Sequence, residues 1–219
     1  MLTHVTTPNQ LESIIPWLHQ HDAYGVDTET TGLDPHSDVV TLVQIGTPDT
    51  QVIIDARKVS LLPIKEWFEN ESIKKILHNA KFDYRFMRGS FGIEMENLRC
   101  TYLAEKLPYV GKQFSGFGLD DVLEKRLGVT LDKTLQKSFI GHKGEFSPEQ
   151  IQYAADDVKY LVPLFQNQCE EIRRDGLART LMLECEAIPA FGDMEFDGML
   201  IDTVLWNKTL QENRGFALK

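Results

Sequence analysis

Acidic residues at three places in the sequence have spacings that could hold divalent cations. Asp27 and Glu29 lie two residues apart in the segment VDTETTGL. Side chains two apart on a β-strand face the same side, so this pattern predicts two carboxylates held together. Two such acids raise each other's pKa unless a cation neutralises them. Mg²⁺ and similar ions prefer oxygen ligands of this kind.

Asp83 and Asp157 belong to two further segments. Asn79 and Asp83 lie four residues apart in HNAKFD, and Tyr153 and Asp157 lie four apart in YAADD. Residues four apart share a helix face, whereas Asp156 projects about 100° away from Asp157 and is less favoured as a ligand. Each segment alone has an ordinary explanation. Asn79 could be a helix cap, Asp83 could complement a helix dipole, and Tyr153 could be a core residue.

Together the three segments supply four acids, with a phenol four residues before the last. This set is what two-metal hydrolysis of a phosphodiester requires. The segments VDTETTGL, HNAKFDYRFM and YAADDVKYL resemble the three motifs of the DEDD superfamily of 3′–5′ exonucleases, in the branch with a tyrosine in the third motif. The resemblance covers about residues 20–175, with no departure at a catalytic position.

The resemblance implies roles for individual residues. Four acids would hold two divalent cations, Mg²⁺ or Mn²⁺: Asp27, Glu29, Asp83 and Asp157. Tyr153 would position the attacking water, because a phenol with an ordinary pKa near 10 is a poor base. Contacts to the terminal nucleotide are implied for four neighbours: Thr28, Leu33, Asn79 and Phe82. Ordinary packing stays an alternative for two of these, Leu33 and Phe82, and a structural role is favoured for His78.

The secondary-structure elements that must position these residues are mainly strands in the first part of the chain and mainly helices in the later part. Strands are predicted over 24–29, 39–46, 51–55 and 73–78, the first three as antiparallel neighbours. Helices are predicted over 11–20, 62–70, 79–89, 101–107, 119–127, 147–168 and 203–213, with a glycine-bearing loop over 111–118. Ser147 begins its helix with a capping-box pattern. This order predicts an α/β fold with a mixed sheet flanked by helices. The family resemblance makes it ribonuclease H-like.

The C-terminal segment ECEAIPAFGDMEFDGMLID resembles the passage that joins the exonuclease to the polymerase domain in family A DNA polymerases. We therefore expect an exonuclease domain over 1–176 and a helical extension over 177–219. On this hypothesis the chain is a proofreading module that releases nucleoside 5′-monophosphates from a single-stranded or frayed DNA 3′ end. A polymerase domain would be its partner in a full-length protein. The alternative is that 178–193 forms one closing amphipathic helix.

Two other functions stay open at this stage. A free-standing exonuclease similar to ribonuclease D, or to the exonuclease of Werner-type helicases, would act on RNA or structured DNA. The segment LDKTLQKSFIGHKG also resembles these relatives. A catalytically silent nucleic-acid-binding or interaction domain is disfavoured, because none of the five key residues is missing. The sequence does not choose between DNA and RNA or between Mg²⁺ and Mn²⁺.

Composition narrows the class of protein. The net charge of −10 over 219 residues argues against a protein that coats nucleic acid by phosphate neutralisation alone, but it suits acidic metal ligands. Three cysteines with no C-x-x-C pair predict neither a disulfide framework nor a zinc site. We find no apolar run of about 18 residues and no signal-peptide pattern. A cytoplasmic protein without membrane contact is therefore expected.

Overall fold

Six strands form one mixed sheet in the computed structural model, which describes residues 1–113 and 115–217. The strands are β1 (Leu2–Val5), β2 (Ala23–Thr30), β3 (Val40–Gly46), β4 (Gln51–Asp55), β5 (Lys74–Leu77) and β6 (Leu98–Cys100). Their order is β1-β4-β3-β2-β5-β6. The β2–β3 and β3–β4 pairs are antiparallel, as predicted, and the other three pairs are parallel. β1 and β6 were not predicted, since each has only three or four residues.

Helices surround the sheet. They are α1 (Pro8–Leu18), α2 (Lys65–Phe68), α3 (Ala80–Phe91), α4 (Thr101–Lys106), α5 (Leu119–Leu127), α6 (Pro148–Lys159), α7 (Leu161–Arg174), α8 (Ala178–Glu186), α9 (Ile188–Asp197) and α10 (Thr203–Ala217). Short 3-10 turns cover Leu62–Ile64, Leu107–Tyr109 and Gln136–Phe139. The architecture confirms the predicted ribonuclease H-like α/β fold. Within the described residues, no helix combines the length and apolarity needed to cross a bilayer.

Two helices begin with the same capping box. The Ser147 hydroxyl accepts from the Gln150 backbone, and the Gln150 side chain accepts from the Ser147 backbone, as the sequence predicts for α6. Thr7 and Gln10 form the same arrangement at the start of α1. The segment TPNQ repeats the pattern of SPEQ. A start at Pro8, rather than at residue 11, was therefore readable from the sequence.

Three predicted helices are wrong in extent. The helix predicted over 147–168 is divided between α6 and α7 at Tyr160. Pro163 explains the division, because its ring would clash with the carbonyl four residues earlier in a continuous helix. The helix alternative over 178–193 is likewise two helices, with Pro189 in the first turn of the second. The segment 62–70 holds a 3-10 turn and a single α-helical turn.

Two facing glycines bring α6 close to the sheet. Gly25 on β2 and Gly46 on β3 are register partners. A Cβ atom on Gly25 would lie 2.4 Å from the Val158 carbonyl oxygen, and one on Gly46 would lie 2.7 Å from the Val158 side chain. Only glycine permits such an approach. The end of α6, with Asp157, is therefore seated against the strand that carries Asp27.

The hydrophobic core has two parts. The larger lies mainly on one face of the sheet and includes Val26 and Ile45. A smaller cluster lies under α6 on the other face and joins Leu42 and Ile53 to Tyr153. Asp27 and Glu29 share this second face, because strand residues alternate between faces.

The segment beyond residue 176 packs on the body of the fold through α8 and α9. α9 lies along α3, where Arg88 pairs with Asp193 and Asp197 and Tyr84 donates to Asp193. Residues 203–214 of α10 are exposed. The division into 1–176 and 177–219 stays a prediction, and residues 114 and 218–219 of the predicted loop and extension lie outside the described residues.

Candidate active site

The predicted acids meet in one cleft of about 520 Å³ at the C-terminal end of β2. The start of α3, the middle of α6 and the loop before α6 form its other walls. All five predicted catalytic residues line it: Asp27, Glu29, Asp83, Tyr153 and Asp157. The structure therefore brings together residues that are up to 130 positions apart in the sequence (157 − 27).

Three of the carboxylates form a tight cluster. One oxygen from each of Asp27, Glu29 and Asp157 lies within 4.8 Å of the others. The pairing of β2 with β3 shifts register between Glu29 and Thr30, and the Thr41 hydroxyl donates to the Glu29 carbonyl there. Such bulges redirect side chains and are common beside active sites.

Asp83 lines the same cleft from α3. It lies in the first turn of α3 and is 2% exposed. The Thr28 hydroxyl donates to its carboxylate at 2.7 Å. Thr28, which lies between Asp27 and Glu29 on β2, therefore faces away from those two acids and orients Asp83.

Burial is the first cause that raises the pKa of each of the four acids predicted to hold metal. Burial, followed by the charges of the other three acids, holds the pKa of Asp27 well above its usual range. Burial, followed by the charges of Asp157 and Asp83, raises the pKa of Glu29 to about 9. Burial raises the pKa of Asp83 to about 7 and that of Asp157 to about 6. The Lys133 ammonium and the Tyr153 hydroxyl limit the shift at Asp157 by stabilising its charged form.

The surroundings of Tyr153 keep its phenol protonated. Its side chain is 8% exposed, and its ring lies 5.7 Å from the Phe139 ring between centroids. Burial first, and then the charge of Asp157, raises the pKa of the phenol above its ordinary value. The hydroxyl is therefore protonated at neutral pH and can donate to Asp157.

The cluster fits a divalent cation. Its donors are carboxylate oxygens, which hard ions prefer. Burial, and after it the neighbouring acids, raises their pKa values, so a cation would stabilise the ionised forms. Gln44 gives a second indication that a divalent cation fits this cluster. It is the register partner of Asp27, is fully buried, and neither polar atom of its amide has a hydrogen-bond partner. An unpartnered buried amide costs about 1–3 kcal/mol, which a hydrated ion beside Asp27 would reduce.

The four residues predicted to contact substrate differ in where they lie relative to the cleft. Leu33 lies at the rim and is 76% exposed, so it does not belong to the core. Phe82 lines the cleft while its ring packs 4.8 Å from that of Phe86. Thr28 also lines the cleft. Asn79 instead lines a neighbouring cavity and, at the N-cap of α3, makes no side-chain capping bond.

His78 has the structural role that was favoured for it. Its two ring nitrogens lie 2.9 Å from the Thr101 hydroxyl and 2.9 Å from the Phe117 carbonyl. Burial lowers its pKa to about 4, so the ring is neutral. A neutral ring bonded on both sides ties the start of α3 to the loop before α5.

The sequence interpretation missed the cationic wall of the cleft. Lys133, Gln136 and Lys137 line it, from the segment LDKTLQKSF. The Lys133 ammonium lowers the pKa of Asp27, Glu29 and Asp157. Basic residues in a polar loop give no periodic signal. The position that such a loop takes beside the sheet is set by tertiary packing. The only available signal was the family resemblance of this segment.

We expect Thr28→Val to slow catalysis without unfolding the protein. Valine has nearly the same shape as threonine but cannot donate to Asp83. Loss of a hydrogen bond to a charged group is worth about 1.5–3 kcal/mol, so a rate loss of about tenfold or more is expected. Steady-state hydrolysis measured with Thr28→Ser as control tests this, since serine keeps the hydroxyl. Equal losses in both variants would contradict the orienting role.

The acidic cluster also predicts a pH-dependent stability difference in EDTA. The folded pKa values of Glu29 and Asp83, about 9 and 7, exceed the unfolded value near 4. The folded state therefore binds more protons, and the stability that these groups contribute is lost as pH rises through the folded values. Asp27→Asn should raise Tm little at pH 5 and by about 2–4 °C at pH 8–9, if removing the charge is worth about 1 kcal/mol. A difference independent of pH would contradict the repulsion.

The fold and the acidic cluster are those expected of a nuclease that hydrolyses phosphodiesters with divalent cations. A family model described as 3′–5′ exonuclease matches residues 2–172. The chain belongs to this family, within the DEDD superfamily. This confirms the resemblance found in the sequence and the assignment of the protein as an enzyme.

Several known proteins are similar to the chain. A ribonuclease D from Gluconacetobacter diazotrophicus is 26% identical, over 78% of this chain and 43% of that protein. A DNA polymerase from Mycobacterium phage L5 is 37% identical, over 70% of this chain and 30% of the polymerase. The chain thus spans about half the length, or less, of these relatives.

Solved structures show the same fold. NrnC from Brucella melitensis superposes with a TM-score of 0.79 at 28% identity, covering 90% of this chain and 95% of that chain. NrnC structures with bound Mg²⁺ and bound to pGG are also similar. RNase D from Escherichia coli superposes with a TM-score of 0.78 at 23% identity, covering 91% of this chain and 52% of that chain.

Proposed function

We propose that this chain is a metal-dependent exonuclease of the ribonuclease D kind, which removes nucleoside 5′-monophosphates from the 3′ end of single-stranded RNA. The observation that carries the proposal is the convergence of Asp27, Glu29 and Asp157, with Tyr153 beside the last of them, in one open cleft. An intracellular location fits this role.

Together the four acids would hold two divalent cations. Asp27, Glu29 and Asp157 form one set of donors, and Asp83, oriented by Thr28, lines the same cleft from α3. Bound cations would lower the pKa of the attacking water and stabilise charge on the leaving 3′-oxygen. Glu29 and Tyr153, which both line the cleft, would orient that water. The phenol donates rather than accepts, so it orients the reacting groups and takes no proton.

The rim of the cleft would select an end without selecting a base. Leu33 is exposed where a terminal base would enter, and Phe82 supplies an aromatic wall. Apolar contact and stacking tolerate any base. Lys133 and Lys137 bring positive charge beside the acids, where the phosphates of a strand would lie. These contacts suit sequence-independent removal of terminal nucleotides.

RNA is favoured over the DNA-proofreading hypothesis by the relatives. Several are named ribonuclease D, and one is an exosome component 10 homologue from Caenorhabditis elegans at 28% identity. The superposition on NrnC also covers nearly all of that solved chain. Proofreading of DNA stays a second candidate, because the phage polymerase has the higher identity of 37%. A polymerase domain as partner, and the meaning of 177–219 in that context, stay predictions.

Matched RNA and DNA strands with the same sequence test the substrate proposal. We expect a 5′-labelled RNA to shorten stepwise from its 3′ end at a rate at least about tenfold above that of DNA. A short substrate, pGG, belongs in the same series because NrnC is bound to it in one of the similar structures. Faster shortening of DNA would favour proofreading instead. Cleavage of neither strand would favour a silent binding domain.

A further inference from the structure

The helical extension contacts the loop that carries Leu33. This loop, residues 31–39, joins β2 to β3 and places Leu33 at the rim of the cleft. Phe196, in the last turn of α9, reaches the same loop. The Phe196 ring stacks on the His36 ring, with 4.5 Å between the centroids and 28° between the planes. The two rings therefore join α9 to the loop three residues away from Leu33.

Gly89 on α3 allows α9 and the loop to meet. A Cβ atom at this position would lie 2.8 Å from the Phe196 ring and 3.0 Å from the Pro35 carbonyl oxygen. Glycine in a helix interior is less stable than alanine, so its presence here has a cost. Because a side chain would displace one neighbour or the other, the glycine permits α3, α9 and the loop to come together at one point. This contact, formed by Gly89, Pro35, His36 and Phe196, is called the Phe196 junction.

Ion pairs and a cation–π contact anchor α9 on α3. The Arg88 guanidinium lies 3.1 Å from the Asp197 carboxylate, and its central carbon lies 4.9 Å from the centre of the Phe196 ring. Arg85 pairs with Glu195 at 3.2 Å, one turn earlier on α3. A cation over an aromatic face is attracted to the ring. Phe196 therefore meets the loop from a helix whose position is fixed.

The loop that carries Leu33 is hydrogen-bonded as a unit. The Asp38 carboxylate accepts from the Asp34 backbone at 3.0 Å and from the Thr31 hydroxyl at 3.1 Å. The Asp34 carboxylate accepts from the His36 backbone at 3.0 Å, as aspartate often does two residues along a turn. Because these bonds close the loop on itself, a contact at His36 also restricts the position of Leu33.

We propose that Phe196 is a positioning residue for the exonuclease reaction. Its stack on His36 holds the loop so that Leu33 stays at the rim of the cleft, where it contacts the terminal nucleotide. This inference rests on the proposed function, and Phe196 acts through Leu33 rather than on a reacting group. The family match ends at residue 172, so the Phe196 junction adds a part of the substrate site from outside the matched segment.

A double-mutant cycle tests whether Phe196 acts through Leu33. Shortening of a 5′-labelled single strand in Mg²⁺ is followed for the full chain carrying Phe196→Ala, Leu33→Ala or both. We expect each single variant to lose about fivefold in kcat/KM, the size of one aromatic or apolar contact. The loss should come mainly from a higher KM, because Leu33 contacts the bound strand before and during the reaction. The double variant should also lose about fivefold, whereas independent effects would multiply to about 25-fold.

Variants of His36 supply the conservative comparison. His36→Ala removes the stacked ring and should match Phe196→Ala. His36→Phe keeps a flat ring and should stay within about twofold of the wild type. His36 is exposed, so both variants are expected to keep the fold. Met194→Ala is the matched control on α9, because Met194 is 68% exposed, and it should leave kcat and KM unchanged.

Amide hydrogen exchange examines the loop without substrate. Phe196→Ala and His36→Ala should speed exchange of peptides that cover residues 31–39 by about fivefold, because the loop opens locally more often. Exchange in α6 should stay as in the wild type. A variant that only destabilised the whole domain would speed exchange in α6 as well, and its kinetic loss would add to that of Leu33→Ala.

Four results would overturn the positioning role. They are multiplicative losses in the cycle, no loss in Phe196→Ala, an equal loss in Met194→Ala, or exchange of the loop that does not respond to Phe196→Ala. Failure of the proposed function would look different. The wild-type protein would then leave the strand intact in Mg²⁺ and in Mn²⁺, whereas each of the four results is obtained with a wild-type protein that shortens the strand.

Discussion

Asp27→Asn should abolish strand shortening, with a rate at least about 10³-fold below that of the wild type. Asp27 lies at the centre of the cluster, and its carboxylate is crowded by Glu29, Asp83 and Asp157. Losing a cation from such a site removes several kcal/mol of transition-state stabilisation, and each 1.36 kcal/mol is a factor of ten. The amide keeps the shape of the side chain, so the fold is expected to persist.

Asp156→Asn provides the matched control. Asp156 lies on the same helix, one residue before Asp157, and accepts a hydrogen bond from Gln152 outside the cleft. Removing its charge should leave the rate within about twofold, as is usual for a surface change away from a site. The thermal shift caused by Mg²⁺ should likewise vanish in Asp27→Asn and persist in Asp156→Asn. A similar rate loss in both variants would assign the effect to net charge rather than to ligation.

Tyr153→Phe should slow hydrolysis by about 10²-fold while leaving the affinity for divalent cations unchanged. The phenol lies beside Asp157 and is kept protonated by burial and by that acid's charge. Its removal leaves the carboxylates in place but no longer orients the groups around the attacking water, an effect of the size found for positioned proton donors and acceptors. Titration of Mg²⁺ followed by Tm, beside single-turnover rates, separates the two quantities.

The pH profile distinguishes this role from general-base catalysis. If Tyr153 took a proton, the variant would lose a rising limb at alkaline pH that the wild type shows. For an orienting donor, the two profiles have the same shape and differ only in height. Weaker Mg²⁺ binding by Tyr153→Phe would show instead that the hydroxyl supports Asp157 as a ligand.

The predicted catalytic residues could be singled out from the sequence because their local geometry follows from periodicity. Asp27 and Glu29 share a strand face, and Tyr153 and Asp157 share a helix face that a capping box and Pro148 place in register. That the three segments meet was not readable from these patterns alone. It depends on Gly25 and Gly46, whose missing side chains admit α6, and on pairings between distant strands. The family resemblance supplied that information.

Other features could not be predicted for definite physical reasons. β1 and β6 are too short to show alternation, and both depend on parallel neighbours far along the chain. The break at Tyr160 was signalled by Pro163 and was overlooked. Lys133 lies in a loop, whose path is set by packing rather than by local pattern. The choice between RNA and DNA depends on contacts around the 2′-position, which no local motif encodes.

The central claim is that the acidic cleft is a cation-dependent 3′–5′ exonuclease site. The most direct measurement is a time course of a 5′-labelled single strand resolved by length, in Mg²⁺ and in EDTA, with wild type beside Asp27→Asn. The account predicts a ladder of labelled products that shortens one nucleotide at a time in Mg²⁺ and is absent in EDTA and in the variant. Shortening that persists in EDTA or in Asp27→Asn, or release of the labelled 5′ nucleotide first, would contradict it.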